Sequence, residues 1–181
     1  MDIQYEGYPR KVVNDALGCQ ISTDVRNSSV EKGKLFQAFH KQSIPAGATF
    51  NMSFKTPIDI DIRDMPSVIN TSADKLTFQY FEGATVTGGT AVPIFCQNRQ
   101  VATQSTVVMK QGVTVTTTGT QFAQVWMAGS VGLGQSRSGT QGGGGDTFWK
   151  LKKDTTYLLR FINESTGANV MQLNEIWVEG L

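Results

Sequence analysis

From Thr49 the chain reads TFNMSFKT, in which Phe50, Met52 and Phe54 alternate with Asn51, Ser53 and Lys55. A period of two puts the apolar side chains on one face of a strand, and the strand ends at Thr56-Pro57 because proline cannot donate to a ladder. KLTFQYFEG repeats the pattern with Leu76, Phe78 and Tyr80. IDIDIRDM predicts a third strand, with Ile58, Ile60 and Ile62 on one face and Asp59, Asp61 and Arg63 on the other. KLFQAFH, from Lys34 to His40, has no wholly polar face, which predicts a strand covered on both sides. GVTVTTTGTQFAQVWMAG predicts a hairpin turning at Gly119. The last two runs, TYLLRFIN and NVMQLNEIWVE, predict a closing hairpin through the polar stretch around Asn163, Ser165 and Gly167. Helical periodicity is almost absent. About eight short strands at this spacing predict an all-β fold, an antiparallel β-sandwich or jelly roll.

The first 18 residues lack alternation and predict an extended N-terminal arm, with one short turn near Val13 to Leu17; residues 19–181 form the sandwich domain. Tyr5, Tyr8, Pro9 and Arg10 give the arm aromatic and cationic anchors suited to a neighbouring subunit, or to the chain's own body. Ser130 to Asp146, SVGLGQSRSGTQGGGGD, is the one low-complexity stretch and predicts a loop tip between two strands.

Composition narrows the function. Charged residues make up 17% of the 181, below the roughly 25% of an ordinary soluble domain. The polar surface therefore comes from Thr, Ser, Gln, Asn and Gly, residues of strands and turns. A net charge of +1 offers no basic excess for nucleic acid. Lys150, Lys152 and Lys153 are the densest basic group and predict a solvated strand edge. No apolar run approaches the roughly 18 to 20 residues of a membrane helix, and MDIQYEGYPRK lacks the apolar core of a secretory signal. Cys19 and Cys96, far apart and without CxxC spacing, read as buried free thiols of a protein made in a reducing cytoplasm. The sequons at Asn27, Asn51, Asn70 and Asn163 then follow from composition alone.

Catalytic chemistry finds little support. His40 is the one histidine, so a His metal cluster is excluded by count, and no GxSxG elbow accompanies it. It reads as a strand-end histidine satisfied by hydrogen bonding. Asp59, Asp61 and Asp64 lack the spacing of a calcium loop and read as a solvated face neutralised by Arg63. Glu82, Glu164, Glu175 and Glu179 could supply paired carboxylates, but no separation follows from sequence. Trp126, Trp149 and Trp177 read as core rather than as sugar-stacking platforms. The expectation is a non-enzyme without metal or cofactor.

FKTP (Phe54 to Pro57), FEGATVTGGTAVPIFCQNRQ (Phe81 to Gln100) and WKLKKDTTYLLRFINES followed by EIWVE resemble the head decoration, or cement, proteins of tailed bacteriophages. The matching pieces are Phe81, Glu82 and Thr85; Gly88, Gly89 and Thr90; Asn98 and Arg99; Leu151, Lys152, Thr155 and Tyr157; and Trp177 and Glu179. The resemblance spans Leu35 to Glu179, and the segment before Leu35 has no counterpart in it. It implies a jelly roll made in the bacterial cytoplasm that binds the exterior of the virion and staples major capsid protein subunits after shell expansion. A homo-oligomer is expected, a trimer before a dimer. Tyr5, Tyr8, Pro9 and Arg10 would then be candidate capsid or inter-subunit contacts, and the Gly-rich loop a candidate ligand contact if the chain is instead a receptor- or glycan-binding module of a tail or head fibre.

Overall fold

A computed structural model describes residues 12–14, 20–22, 25–70, 75–127, 137–139 and 149–180. Almost every ordered element is a strand: β1 (Val12–Asn14), β2 (Gln20–Ser22), β3 (Leu35–Ile44), β4 (Thr49–Lys55), β5 (Ile62–Asn70), β6 (Leu76–Glu82), β7 (Thr85–Thr87) and β8 (Thr90–Ala91). These are followed by β9 (Ile94–Cys96), β10 (Val108–Gln111), β11 (Thr114–Thr117), β12 (Thr120–Met127), β13 (Arg137–Gly139), β14 (Trp149–Leu151), β15 (Thr156–Asn163) and β16 (Asn169–Glu179). Among the described residues one helix, α1 (Val25–Glu31), precedes β3. Among the described residues no helix is long and apolar enough to cross a membrane.

Two six-stranded antiparallel sheets share one core. The first runs β12-β6-β15-β4-β10-β8; the second runs β13-β5-β16-β3-β9, with β14 also pairing β5. Period-two side chains from both sheets meet between them: Met52 and Phe54, Phe78 and Tyr80, and Leu159 and Phe161 from one, Phe36, Leu173 and Trp177 from the other. Phe50, Phe161 and Phe78 form an aromatic row across three neighbouring strands, with centroids 6.4 and 5.2 Å apart. Trp177, fully buried, stacks on Phe36 and meets Phe54 edge-on. Truncating such a residue costs about 3–5 kcal/mol, so it alone holds a large share of a domain's net stability. The all-β sandwich expected from alternation is what the chain adopts.

The connections differ from the expected hairpins. β15 and β16 do not pair; the chain crosses from the first sheet to the second through residues 164–168. It crosses in parallel fashion between β3 and β4, and Asn163 ties the two crossings together. Its buried side chain donates to the carbonyls of Ile44, Pro45 and Gly167, and accepts from Ser165. At the other end, the crossings between β4 and β5 and between β14 and β15 are joined by Thr56 and Thr155. The segment 35–64 thus lies antiparallel beside 149–178, pairing β3 with β16, β4 with β15 and β5 with β14. The two segments form a ribbon rolled around the core.

Nor is Gly119 a hairpin turn. β12 pairs β6 while β11 pairs β7, so Gly119 marks a kink in one long two-stranded ladder. Beyond the kink the β7–β11 ribbon folds over the outer face of the first sheet. There Ala84, Val86, Val113 and Val115 cover Phe81 and Leu158. The outer face of the second sheet is covered at Leu35, Ile176 and Val178 by Val30 of α1. These two covers explain why β3 and β15 carry apolar residues on both faces.

Several other expectations fall to local geometry. Strand β5 begins only at Ile62, and Ile58 is 74% exposed in the turn before it. Pro66 sits within β5 in the gap between its partners β13 and β14, where a missing N–H is tolerated. Val12–Asn14 pairs antiparallel with Gln20–Ser22, and the rest of the expected arm lies outside the described residues. In the glycine-rich stretch, Arg137–Gly139 pairs with β5; the rest lies outside the described residues.

Candidate interaction surface

Strand β9 is an edge of the second sheet, held by Phe36↔Cys96, Gln37↔Phe95 and Ala38↔Ile94. Alternation sends Cys96 inward, where it is a buried free thiol, and sends Phe95 and Phe39 outward. The two outward rings stack at 5.8 Å with 15° between planes, yet remain 40% and 57% exposed. The Arg99 guanidinium sits 5.9 Å over Phe95. Gln97 donates to Gln37 beside them at 3.1 Å.

The segment after β9 forms the wall of an open groove of about 450 Å³ lined by Ile94, Phe95, Arg99, Gln100, Val101 and Thr103. Asn98 shapes that wall: its side-chain oxygen accepts from the Gln100 amide, and its amide donates to the Glu31 carbonyl at the end of α1. Gly33 allows the close approach, since a Cβ there would lie 2.9 Å from the Val101 side chain. Glu179 anchors the far end by accepting from Ser105, Thr106 and Trp177. Stacked aromatics, an arginine, an exposed Val101 and flanking glutamines thus share one surface at a sheet edge.

Comparison with protein-family models, with curated proteins and with solved structures finds no match. The geometry therefore carries the functional argument.

The residues singled out in the sequence are scattered. Tyr5, Tyr8, Pro9 and Arg10 lie outside the described residues, as does Cys19. His40 is only partly satisfied: Gln42 offers its side chain a hydrogen bond, while its ring stacks on Phe50 at 5.6 Å and its Nε2 is buried without a hydrogen-bond partner. Burial holds its pKa below the ordinary imidazole value. The three aspartates separate. Asp59 is exposed, and Asp61 pairs with Lys150 and Lys153, the first of which keeps its carboxyl below the usual range. Asp64 is instead fully buried, so the reading of all three as one solvated face is corrected. The lysines do form an exposed edge, with Lys152 paired to Glu82 at 2.6 Å.

The glutamates occupy separate environments. Glu164 is held by Lys75 and Thr77, Glu82 by Lys152 and Tyr157, Glu179 by the 105–106 segment, and Glu175 lies in the core against Asp64. Trp177 is core and Trp149 is half-buried, but Trp126 is 63% exposed on edge strand β12, against expectation. The sequence reading missed Phe39 and Phe95. Their signal was present, because each shares its strand face with glutamine or lysine neighbours.

Proposed function

We propose that this chain is a non-enzymatic virion protein that binds the exterior of a phage capsid and staples neighbouring major capsid protein subunits. The observation that carries the reading is the exposed Phe39–Phe95–Arg99 surface. Interface cores are enriched in aromatic residues and arginine, and a few such anchors supply most of the binding energy. Asn98 and Arg99, two of the residues on which the resemblance to decoration proteins rests, build this surface. The rolled ribbon supports the finer reading of the sandwich as a jelly roll. A homo-oligomer, a trimer before a dimer, would add avidity by presenting several such surfaces to a repeating lattice.

Quantitative mass spectrometry of purified virions tests the proposal. A copy number near one per major capsid subunit, or a simple symmetric fraction of it, is the expected result. Absence from the particle overturns it. Replacing Phe95 and Arg99 together by alanine should lower capsid occupancy at least roughly tenfold, because two hot-spot contacts are worth more than about 1.4 kcal/mol. Both side chains are largely outside the core, so the melting temperature should hold; equal occupancy would move the contact elsewhere. Removing residues 2–17 tests the arm in the same assay, with weaker attachment expected.

Trp126 supports a second reading, a receptor- or glycan-binding module of a tail or head fibre. An exposed indole is a ready stacking platform. That reading requires a few to a few dozen copies per particle and glycan binding lost in Trp126→Ala.

A further inference from the structure

Where β14, β5 and β16 of one sheet meet β6 of the other, two carboxyl groups are sealed in the core. Asp64 and Glu175 are both fully buried. Strand alternation directs them inward: Glu175 lies between Leu173 and Trp177, and Asp64 is in register with Trp177 on one side and Trp149 on the other. The Tyr80 hydroxyl stands 2.9 Å from Asp64 Oδ2 and 3.3 Å from Glu175 Oε1, so both carboxyl groups converge on one hydroxyl, and Glu175 Oε2 is buried without a hydrogen-bond partner. Ionised carboxylates only accept, so two that meet in the core can bond each other only when one carries a proton. Tyr80 has a single proton to give and cannot satisfy both.

The surroundings make that proton matter. Tyr80 faces the pair from β6 and Tyr157 from β15. Tyr157 is in turn bonded to Glu82, which Lys152 neutralises. Phe122 of β12 and Trp149 of β14 close the site, their rings 4.9 and 5.6 Å from that of Tyr80. Two negative charges in so dry a place are costly, and the pair titrates as a unit.

We infer that Asp64 of β5 and Glu175 of the neighbouring β16 form a proton-sharing lock, that Tyr80 ties this pair to the facing sheet, and that losing the shared proton loosens the β14–β5 edge as pH rises. Burial, reinforced by the charge of Asp64, holds Glu175 well above the usual carboxylate range. A group raised in this way stabilises the fold fully below its unfolded value, and the contribution is lost as pH climbs through the folded value. His40 acts in the opposite sense: its neutral ring favours the fold above the ordinary imidazole range, and that contribution is lost as pH falls. The edge released is the strand into which the glycine-rich stretch leads, so the lock sets how firmly the root of that stretch is held.

The test is urea unfolding of the full chain between about pH 5 and pH 9, with Glu175→Gln beside the wild type. Glutamine keeps a donor toward Asp64 and a partner for Tyr80 but cannot ionise. The wild type should lose stability toward alkaline pH, and Glu175→Gln should flatten that limb and overtake it. Parallel decline of the two proteins overturns the lock. Infrared spectroscopy of the wild type near pH 7 decides the matter even if the variant misfolds: a protonated carboxyl stretch is expected, and its absence refutes proton sharing.

Discussion

Asn163→Ala is expected to lower the unfolding free energy by about 3 kcal/mol, since it removes two buried amide donors and leaves main-chain carbonyls without partners in the core. The Asn163 amide lies 2.9, 2.9 and 2.8 Å from the oxygens of Ile44, Pro45 and Gly167, on both crossings at once. Its oxygen also receives the Ser165 amide and hydroxyl, at 3.0 and 2.6 Å. Asn163→Asp should be worse near neutral pH, because it keeps the shape but points a carboxylate at three carbonyl oxygens. Its deficit should shrink in acid as that carboxylate takes up a proton. Urea unfolding followed by tryptophan fluorescence reads both variants. A loss below about 1 kcal/mol in Asn163→Ala would mean that the crossings are held by packing instead.

Gly119→Ala should be comparably severe, while Gly83→Ala, one strand away, should be mild. Both glycines have φ of 74°, where any other residue carries strain. They differ in what a Cβ would meet. At Gly119 it would fall 2.2 Å from the Glu82 carbonyl oxygen and 2.8 Å from the Gly83 carbonyl carbon, whereas at Gly83 nothing lies within 4 Å. Backbone cannot swing aside as a side chain can. Gly83→Ala should therefore cost about 1 kcal/mol, the conformational term alone, and Gly119→Ala about 3 kcal/mol or more. For a chain of this size these correspond to about 2–4 °C and at least about 6 °C in melting temperature. Gly119→Ala should also uncover Phe81 and Leu158 by displacing the β7–β11 ribbon, which binding of a hydrophobic dye would detect. Equal shifts in the two variants would show that the close approach is not tight.

The sequence revealed strands wherever one face is polar. Strands β4 and β6 follow the alternation read from TFNMSFKT and KLTFQYFEG because Asn51, Ser53 and Gln79 mark the outward side without ambiguity. It did not reveal pairing. The polar set around Asn163, Ser165 and Gly167 has hairpin composition, but whether a turn returns to the same sheet or crosses to the other depends on carbonyls at Ile44 and Pro45, far away in the chain. Gly119 misled for a related reason: its missing side chain serves the approach of Glu82, not a reversal. Asp64 and Asp61 are identical in type and three residues apart, yet one is sealed beside Glu175 and the other held by lysines. That difference arises where the turn ends and β5 begins. The Phe39–Phe95 surface was hidden because apolar runs read first as core, and the register of β9 against β3 is what turns these two rings outward.

The rolled ribbon bears on how the molecule comes into being. Phe36 finds its strand partner in Trp177, and Phe54 in Tyr157. A ribosome releases the early strands long before residues 149–178, so β3, β4 and β5 each wait with an open edge until those residues are translated. Closure is then a late, collective event dominated by distant contacts, of the kind that proceeds in milliseconds to seconds. A message truncated shortly before Trp149 would yield no such ribbon, only strands lacking the half that rolls around them.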